Sequence, residues 1–325
     1  MPLYDRLSPL VVEIDDYRLE RTSVVVASGW ERVTTTIVVA GRGHEGRGED
    51  ITYEAERHDV LASEPHLALA GTRTFAEASD DLAVESEPYT RWAFESAVLD
   101  LALRQAGRSL GDAIGRPYRP VRFVMSTGGD IRPWLAVDPT LEFKLDPQAD
   151  WDADYIDAIA ASDRVRVLDL KAFYSETVRL EPDLAFYRTC VERFPGALIE
   201  DPALELLGDL ADARRRLSFD AIIHSAGDIE RLGFDVRNMN IKPSRFGTVA
   251  RLLEAIDYCE QRDIAMYGGG QFELGIGRHQ IQAIASLFYP DGPNDVAPSE
   301  YHTATPTGDL PSSPLPAPAD VPGFA

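Results

Sequence analysis

Ala197-Leu-Ile-Glu-Asp-Pro202 is a short apolar run that stops in two acids and a proline. Such a run is too short for a helix and reads as a buried strand whose end opens into a loop. The same theme recurs around it. Val121–Met125, Leu141–Leu145, Val165–Leu170, Phe219–Ile223, Met239–Ile241 and Ile264–Tyr267 read as further strands. Amphipathic stretches such as Leu184–Arg193, Leu204–Leu217 and Thr248–Arg262 read as the helices between them. This alternation predicts an α/β barrel, with an open doubly wound sheet as the alternative.

Upstream the rhythm differs. Leu10–Ile14, Thr22–Ala27 and Val33–Val39 read as antiparallel strands, being rich in Val, Ile and Thr. Gly41-Arg-Gly-His-Glu-Gly-Arg-Gly48 lacks the Lys-Ser/Thr end of a phosphate loop and reads as a hairpin turn. Residues 90–107 have helical spacing, with Gly107 placed to end the helix, and a helical turn follows at Leu110–Ile114. Gly115-Arg-Pro-Tyr-Arg-Pro120 marks a boundary. The expected division is a capping domain over residues 1–118, a barrel over 119–295 and a tail over 296–325. From Thr305 the tail carries six prolines and reads as an extended or mobile arm.

Composition narrows the function classes. The chain has 325 residues, 54 acids against 32 lysines and arginines, and a formal charge of −22. Without a local basic patch, such a surface repels nucleic acids and anionic membranes. No apolar run reaches the length of a membrane span and no export leader is visible, so a cytoplasmic location is expected. Cys190 and Cys259 read as buried thiols in helices rather than a bridge. Of the 32 basic residues only three are lysines, Lys144, Lys171 and Lys242.

All three lysines lie at predicted strand ends, where barrels of this kind place their reactive groups. Lys144 ends the second strand, Asp169 and Lys171 the third, Glu200 the fourth, His224 and Ser225 the fifth, and Lys242 the sixth. Glu273 follows the seventh. Asp169 and Glu200, on adjacent strands, suit a hard divalent cation, magnesium above all. Lys144 and Lys242 would then face each other across the mouth. This arrangement suits removal of a proton alpha to a carboxylate.

Several stretches resemble the enolase superfamily, in the branch of muconate-lactonising and o-succinylbenzoate-synthase enzymes. They are Gly46-Arg-Gly-Glu49, Ala93-Phe-Glu-Ser-Ala-Val-Leu-Asp100, Phe143-Lys-Leu-Asp146, Leu198-Ile-Glu-Asp-Pro202, Asn240-Ile-Lys-Pro-Ser-Arg-Phe-Gly247 and Phe272-Glu-Leu-Gly-Ile-Gly-Arg278. The resemblance covers roughly residues 10–290. It implies an α+β cap over a (β/α)7β modified TIM barrel, one Mg²⁺, a small carboxylate substrate, an enolate intermediate and a homo-oligomer. It implies an enzyme of the lyase or isomerase kind, with dehydration like that of o-succinylbenzoate synthase or racemisation like that of N-succinylamino acid racemase. Dipeptide epimerisation and cycloisomerisation are alternatives. A further alternative is a non-catalytic or metal-independent member binding an acidic metabolite through Lys144, Lys171 and Lys242. The resemblance also implies that cap loops select the substrate, here Ser28-Gly-Trp-Glu31 with Trp30, and Thr52–Tyr53. Arg245 is the expected anchor for an anionic group, and Glu273 a further substrate contact.

The sequence departs from the family pattern at three strand ends. The second strand has one lysine where two, one residue apart, are usual. Either Asp146 replaces the usual base or Glu142 replaces the first lysine; Phe143 and Leu145 favour the former. The third has Asp169-x-Lys171 in place of Asp-x-Asn. The fifth shows His224-Ser225 where a metal-binding acid is expected, which leaves His224 or Asp228 as the third ligand, or no metal at all. A closed network of Lys171 with Asp169 and Glu200 is the metal-free possibility.

Overall fold

The computed structural model describes the chain except residues 26–28, 64–66, 149, 175–182, 207, 209–210 and 303–304. Seven short parallel strands form the sheet that carries the site. They are Met125–Thr127, Phe143–Leu145, Val165–Asp169, Leu198–Glu200, Leu217–Phe219, Asn238–Ile241 and Ala265–Gly268, hydrogen-bonded in sequence order. The ring closes through Asn294 and Asp295, which bridge Phe123 on one side and Gly269 on the other. Helices Ala153–Ala161, Leu184–Arg193, Val249–Gln261 and Ile276–Phe288 lie between the strands. The result is the modified TIM barrel, with the doubly wound sheet excluded by that closure.

The N-terminal part is a three-stranded antiparallel sheet of Asp16–Val25, Glu31–Gly41 and His44–Asp50, with a second, two-stranded sheet of Val11–Ile14 and Gly71–Thr74. Helix Pro88–Ala106 covers the three-stranded sheet and ends at Gly107 in the left-handed conformation (φ 65°). The glycine-rich stretch is not one long turn. Only Arg42 and Gly43 turn; Gly46 and Gly48 lie inside a strand. A Cβ there would stand 2.2 Å from Ala97 O and 2.0 Å from Ala93 O, so these glycines let the helix touch the strand. The strand read at Thr22–Ala27 begins earlier, at Asp16, and its last two residues lie outside the described ones.

Two further expectations are corrected. The fifth strand is Leu217–Phe219, not Phe219–Ile223. The apolar run Ala221-Ile-Ile223 looks like strand, but Asp201 captures the N–H groups of Asp220 and Ala221, and Ile223 N turns back to Asp220 O. The segment read as helix Leu204–Leu217 holds, among described residues, only the 3₁₀ turns Leu204–Leu206 and Ala211–Arg216. The proline-rich tail is extended but docked. Leu315 bridges Val121, Phe324 is 1% exposed, and Phe324 N donates to Asp100. No helix among the described residues is long and apolar enough to cross a membrane.

Candidate active site

Each barrel strand is too short to do more than aim the residue at its end. Lys144 lies within the second strand, Asp169 ends the third and Glu200 the fourth, while Asp220 follows the fifth and Lys242 the sixth. Relative exposures are 1% for Lys144, 2% for Asp169, 0% for Glu200, 1% for Asp220 and 7% for Lys242. A buried charge persists only where it is paired, and here the pairs are specific. Lys144 Nζ stands 2.6 Å from Glu200 Oε1 and 3.1 Å from Asp169 Oδ2, with Asp295 at 3.9 Å. Lys242 Nζ stands 2.8 Å from Asp220 Oδ2. Lys171 Nζ stands 3.1 Å from Asp146 Oδ2 and 3.6 Å from Asp169 Oδ2.

Glu200 is fully buried. Besides Lys144 it accepts from Asn240 Nδ2 at 3.0 Å and from Tyr267 OH at 2.6 Å, and Tyr267 in turn meets Ser218 Oγ. Burial pushes its carboxyl up to about 7, because the one ammonium beside it is shared with Asp169. Burial also resists ionisation of Asp169, but Lys144 and Lys171 outweigh it and hold that carboxyl below its usual range. Burial raises Asp201 well above the usual range, and neighbouring Asp220 adds to the rise. Asp220 is held well below it, Arg245 and Lys242 prevailing over burial. For the lysines burial favours the neutral form, yet Asp169 raises Lys144 and Lys171, and Asp220 raises Lys242.

The sequence reasoning missed Asp220. Once the fifth strand ends at Phe219, Asp220 occupies the strand-end place the resemblance reserves for an acid. The signal was the register itself: Asp169, Glu200 and Asp220 all sit at or next to the last residue of their strands. His224 and Asp228, the expected third ligands, are not brought to the acidic centre. His224 Nδ1 meets Arg245 O, and Asp228 accepts from His224 N and Ser225 Oγ in the first turn of helix Ala226–Arg231. Asp228 is also paired with Arg231. The closed network of Lys171 with Asp169 and Glu200 forms only in part: Lys171 pairs with Asp169 at 3.6 Å and with Asp146 at 3.1 Å, while Lys144 is the ammonium on Glu200.

The expected substrate contacts fare differently. Arg245 is 9% exposed, with Nε 3.0 Å from Asp220 Oδ1 and Nη2 near Tyr174 OH, so it holds Asp220 in place rather than standing open to a ligand. Glu273 is buried; it accepts from Gln271 N and lies 3.5 Å from Arg278. Glu142, the alternative second-strand residue, pairs with Arg122 and Arg166. Trp30 is 39% exposed and stacks on Tyr53 at 6.0 Å, with Phe272 edge-on. Arg32 lies over Tyr53 at 4.6 Å, and Tyr53 OH donates to Gln271. Thr52 is buried against Asp50. Ser28 lies outside the described residues. Trp30 and Tyr53 therefore form an aromatic wall joined to the seventh strand's loop.

The donor set fits a hard divalent cation. Asp169, Glu200 and Asp201 each bring a carboxylate oxygen within 4.8 Å of the others, the only such grouping among described residues. Oxygen-only donors are what magnesium takes. The carboxylates of Asp146, Asp169, Glu200, Asp201 and Asp220, all but Asp146 buried, outnumber the four cations among them, Lys144, Lys171, Lys242 and Arg245. Lys144 competes for the same oxygens, and both carboxylate oxygens of Asp201 already accept backbone N–H groups.

Comparison with known proteins agrees with the fold and the motifs. Residues 5–113 match the model described as the N-terminal domain of a domain of unknown function (DUF8230), and residues 117–303 match its C-terminal domain. An N-succinylamino acid racemase of Amycolatopsis sp. is 29% identical over 301 residues, spanning 87% of this chain and 78% of that protein. An o-succinylbenzoate synthase of Enterococcus faecalis is 25% identical over 294 residues, or 82% of this chain and 79% of that protein. Among solved structures, muconate cycloisomerase from Pseudomonas fluorescens superposes with a TM-score of 0.72 at 18% identity, covering 97% of this chain and 96% of that one. The chain belongs to the DUF8230 family, and in sequence and fold it is similar to the muconate-lactonising and o-succinylbenzoate-synthase-like branch of the enolase superfamily.

Proposed function

We propose that the protein removes a proton alpha to the carboxylate of a small acid, and that the enolate then either takes a proton back at that carbon or expels a hydroxyl from the neighbouring carbon as water. The reaction is of the o-succinylbenzoate synthase or N-succinylamino acid racemase kind, the activities named for its relatives. One observation carries this reading: the amines of the second, third and sixth strands converge on one buried group of strand-end carboxylates. The second and sixth staves of an eight-stave ring stand opposite each other, so a substrate in the mouth lies between amines.

Lys242 is the proton-transfer residue, taking the alpha proton as the neutral amine and giving one up as the ammonium. Gly269 makes room for it, since a Cβ there would stand 2.8 Å from Lys242 Cε. Asp220 fixes its ammonium at 2.8 Å. Lys144 balances the charge of Asp169 and Glu200 from beneath. Mg²⁺ held by Asp169 and Glu200 would offset the negative charge growing on the substrate carboxylate as the proton leaves. Trp30 and Tyr53 wall off solvent and bear on the far end of the acid.

The test is proton exchange in D₂O, followed by NMR, over a set of N-succinylamino acids and related carboxylates with added Mg²⁺. At least one acid should exchange its alpha proton, and Lys242→Ala should slow that exchange by about 10²–10⁴-fold. Chelation should abolish it. A second reading, a metal-independent binder, is favoured by the ammonium of Lys144 seated on Asp169 and Glu200. No exchange with any acid, no Mg²⁺ uptake by calorimetry and a bound carboxylate would establish that reading instead.

A further inference from the structure

We propose that Lys171, not Lys144, is the amine that grips the anionic group of the substrate on the second-strand side of the mouth, and that Asp146 positions it. This rests on the carboxylate reading of the site. The two lysines differ in where their ammonium groups are placed. The side chain of Lys144 is 2% exposed, and its ammonium is enclosed by Glu200, Asp169 and Asp295. A ligand reaching it would have to displace buried carboxylates. The side chain of Lys171 is 22% exposed, and its partner Asp146 is 24% exposed.

Lys171 is delivered to this place by its backbone. It follows the third strand with φ at 51°, in the left-handed region that a lysine rarely adopts. Its N–H bonds Asp169 Oδ1 at 3.1 Å, which holds the turn. Strain of this kind persists where surrounding structure enforces it. The turn swings the side chain across to Asp146 on the neighbouring strand and over the ring of Tyr174 at 5.1 Å. One oxygen of Asp146 is engaged; the other, Oδ1, is buried without a hydrogen-bond partner. Two carboxylates engage the ammonium, Asp146 at 3.1 Å and Asp169 at 3.6 Å, and its partly open position leaves an N–H bond for a ligand. The ammonium of Lys144 has no such vacancy, facing three carboxylates within 3.9 Å.

With only three lysines in the chain, trace acetylation followed by peptide mass spectrometry reads each amine separately. In the folded protein Lys171 should label at least about tenfold faster than Lys144, which should react only on unfolding. Lys144 labelling as fast as Lys171 would overturn the assignment. Lys171→Met should raise the KM of the acid that exchanges by about tenfold to hundredfold, the worth of one charge-assisted bond. Its thermal midpoint should stay near that of the unaltered protein. Unchanged KM in a folded Lys171→Met protein would also refute the proposal. Should the unaltered protein exchange no acid, the functional reading fails while the labelling order still decides between the two amines.

Discussion

Three groups converge on the carboxylate of Asp220: the ammonium of Lys242, the guanidinium of Arg245 and the hydroxyl of Tyr174. Asp220, Lys242 and Arg245 are buried, so the acid is the counterion that permits two cations to sit inside the barrel. Asp220→Asn should cost about 3–5 kcal/mol, the usual loss when one partner of a buried pair is removed. Urea unfolding at neutral pH checks it, and a loss under 1 kcal/mol would show the cations find other partners. The cysteines are a contrasting case. Cys190 and Cys259 are buried and unbridged, and burial pushes both thiols up to about 12. Neither should react with a thiol reagent at pH 8 until denaturant is added, when both should titrate. These residue-scale facts were legible only in part. The lone lysines and Asp169 and Glu200 announce themselves at strand ends. Asp220 was hidden because a more apolar run follows it and shifted the apparent strand.

At the scale of elements, close packing and capping decide how the cap meets the barrel. Gly46 and Gly48 bring a strand against the backbone of helix Pro88–Ala106. Gly48→Ala should cost about 1–3 kcal/mol through overpacking, read as a lower thermal midpoint. Two buried glutamates reach from the cap into barrel helices. Glu49 accepts from Leu274 N, Gly275 N and Gly277 N at the start of helix Ile276–Phe288. Glu95 accepts from Val249 N, the first residue of helix Val249–Gln261, and from Ser79 and Arg91. Acids at helix starts are favourable because unpaired N–H groups point at them. Replacing Glu49 by Ala orphans three donors and should cost about 1–3 kcal/mol, measurable by urea unfolding. Helices Pro88–Ala106 and Val249–Gln261 were readable from periodicity, the first also from Gly107. That Gly46-Arg-Gly-Glu49 is a strand rather than a turn was not, because glycines needed for close approach look the same in sequence as glycines needed for a bend.

Across the whole molecule the tail ties the parts together. It crosses the barrel at Val121, takes a bond from Phe123 N through Ser313, and ends with Phe324 edge-on to Trp92 of the cap helix. Phe324→Ala should destabilise the protein by about 3 kcal/mol, and urea unfolding with an unchanged slope would confirm a local packing loss. Just before the tail, His302 stacks on Phe272 at 4.2 Å, and burial with Arg278 beside it lowers its pKa to about 4. A ring neutral in the folded state and more basic when unfolded stabilises the protein fully above the unfolded value, about 6.5. That contribution is lost as pH falls from about 6.5 toward 4. The corresponding slope should be absent from the pH–stability profile of His302→Phe.

The sequence by itself determined the alternation of strands and helices, the acidity of the chain, and most of the strand ends that carry charge. Those are local properties: an apolar run and the charged residue that stops it are neighbours in the chain. Only the tertiary structure decided which amine meets which acid. Lys144 meets Glu200 across 56 positions, and Lys242 meets Asp220 from the next strand. Such pairings depend on ring closure and on strand register, where a shift of four residues exchanges Asp220 for His224 at the site. They also depend on burial, which makes an unpaired charge too costly to leave and so forces each ammonium onto the nearest carboxylate.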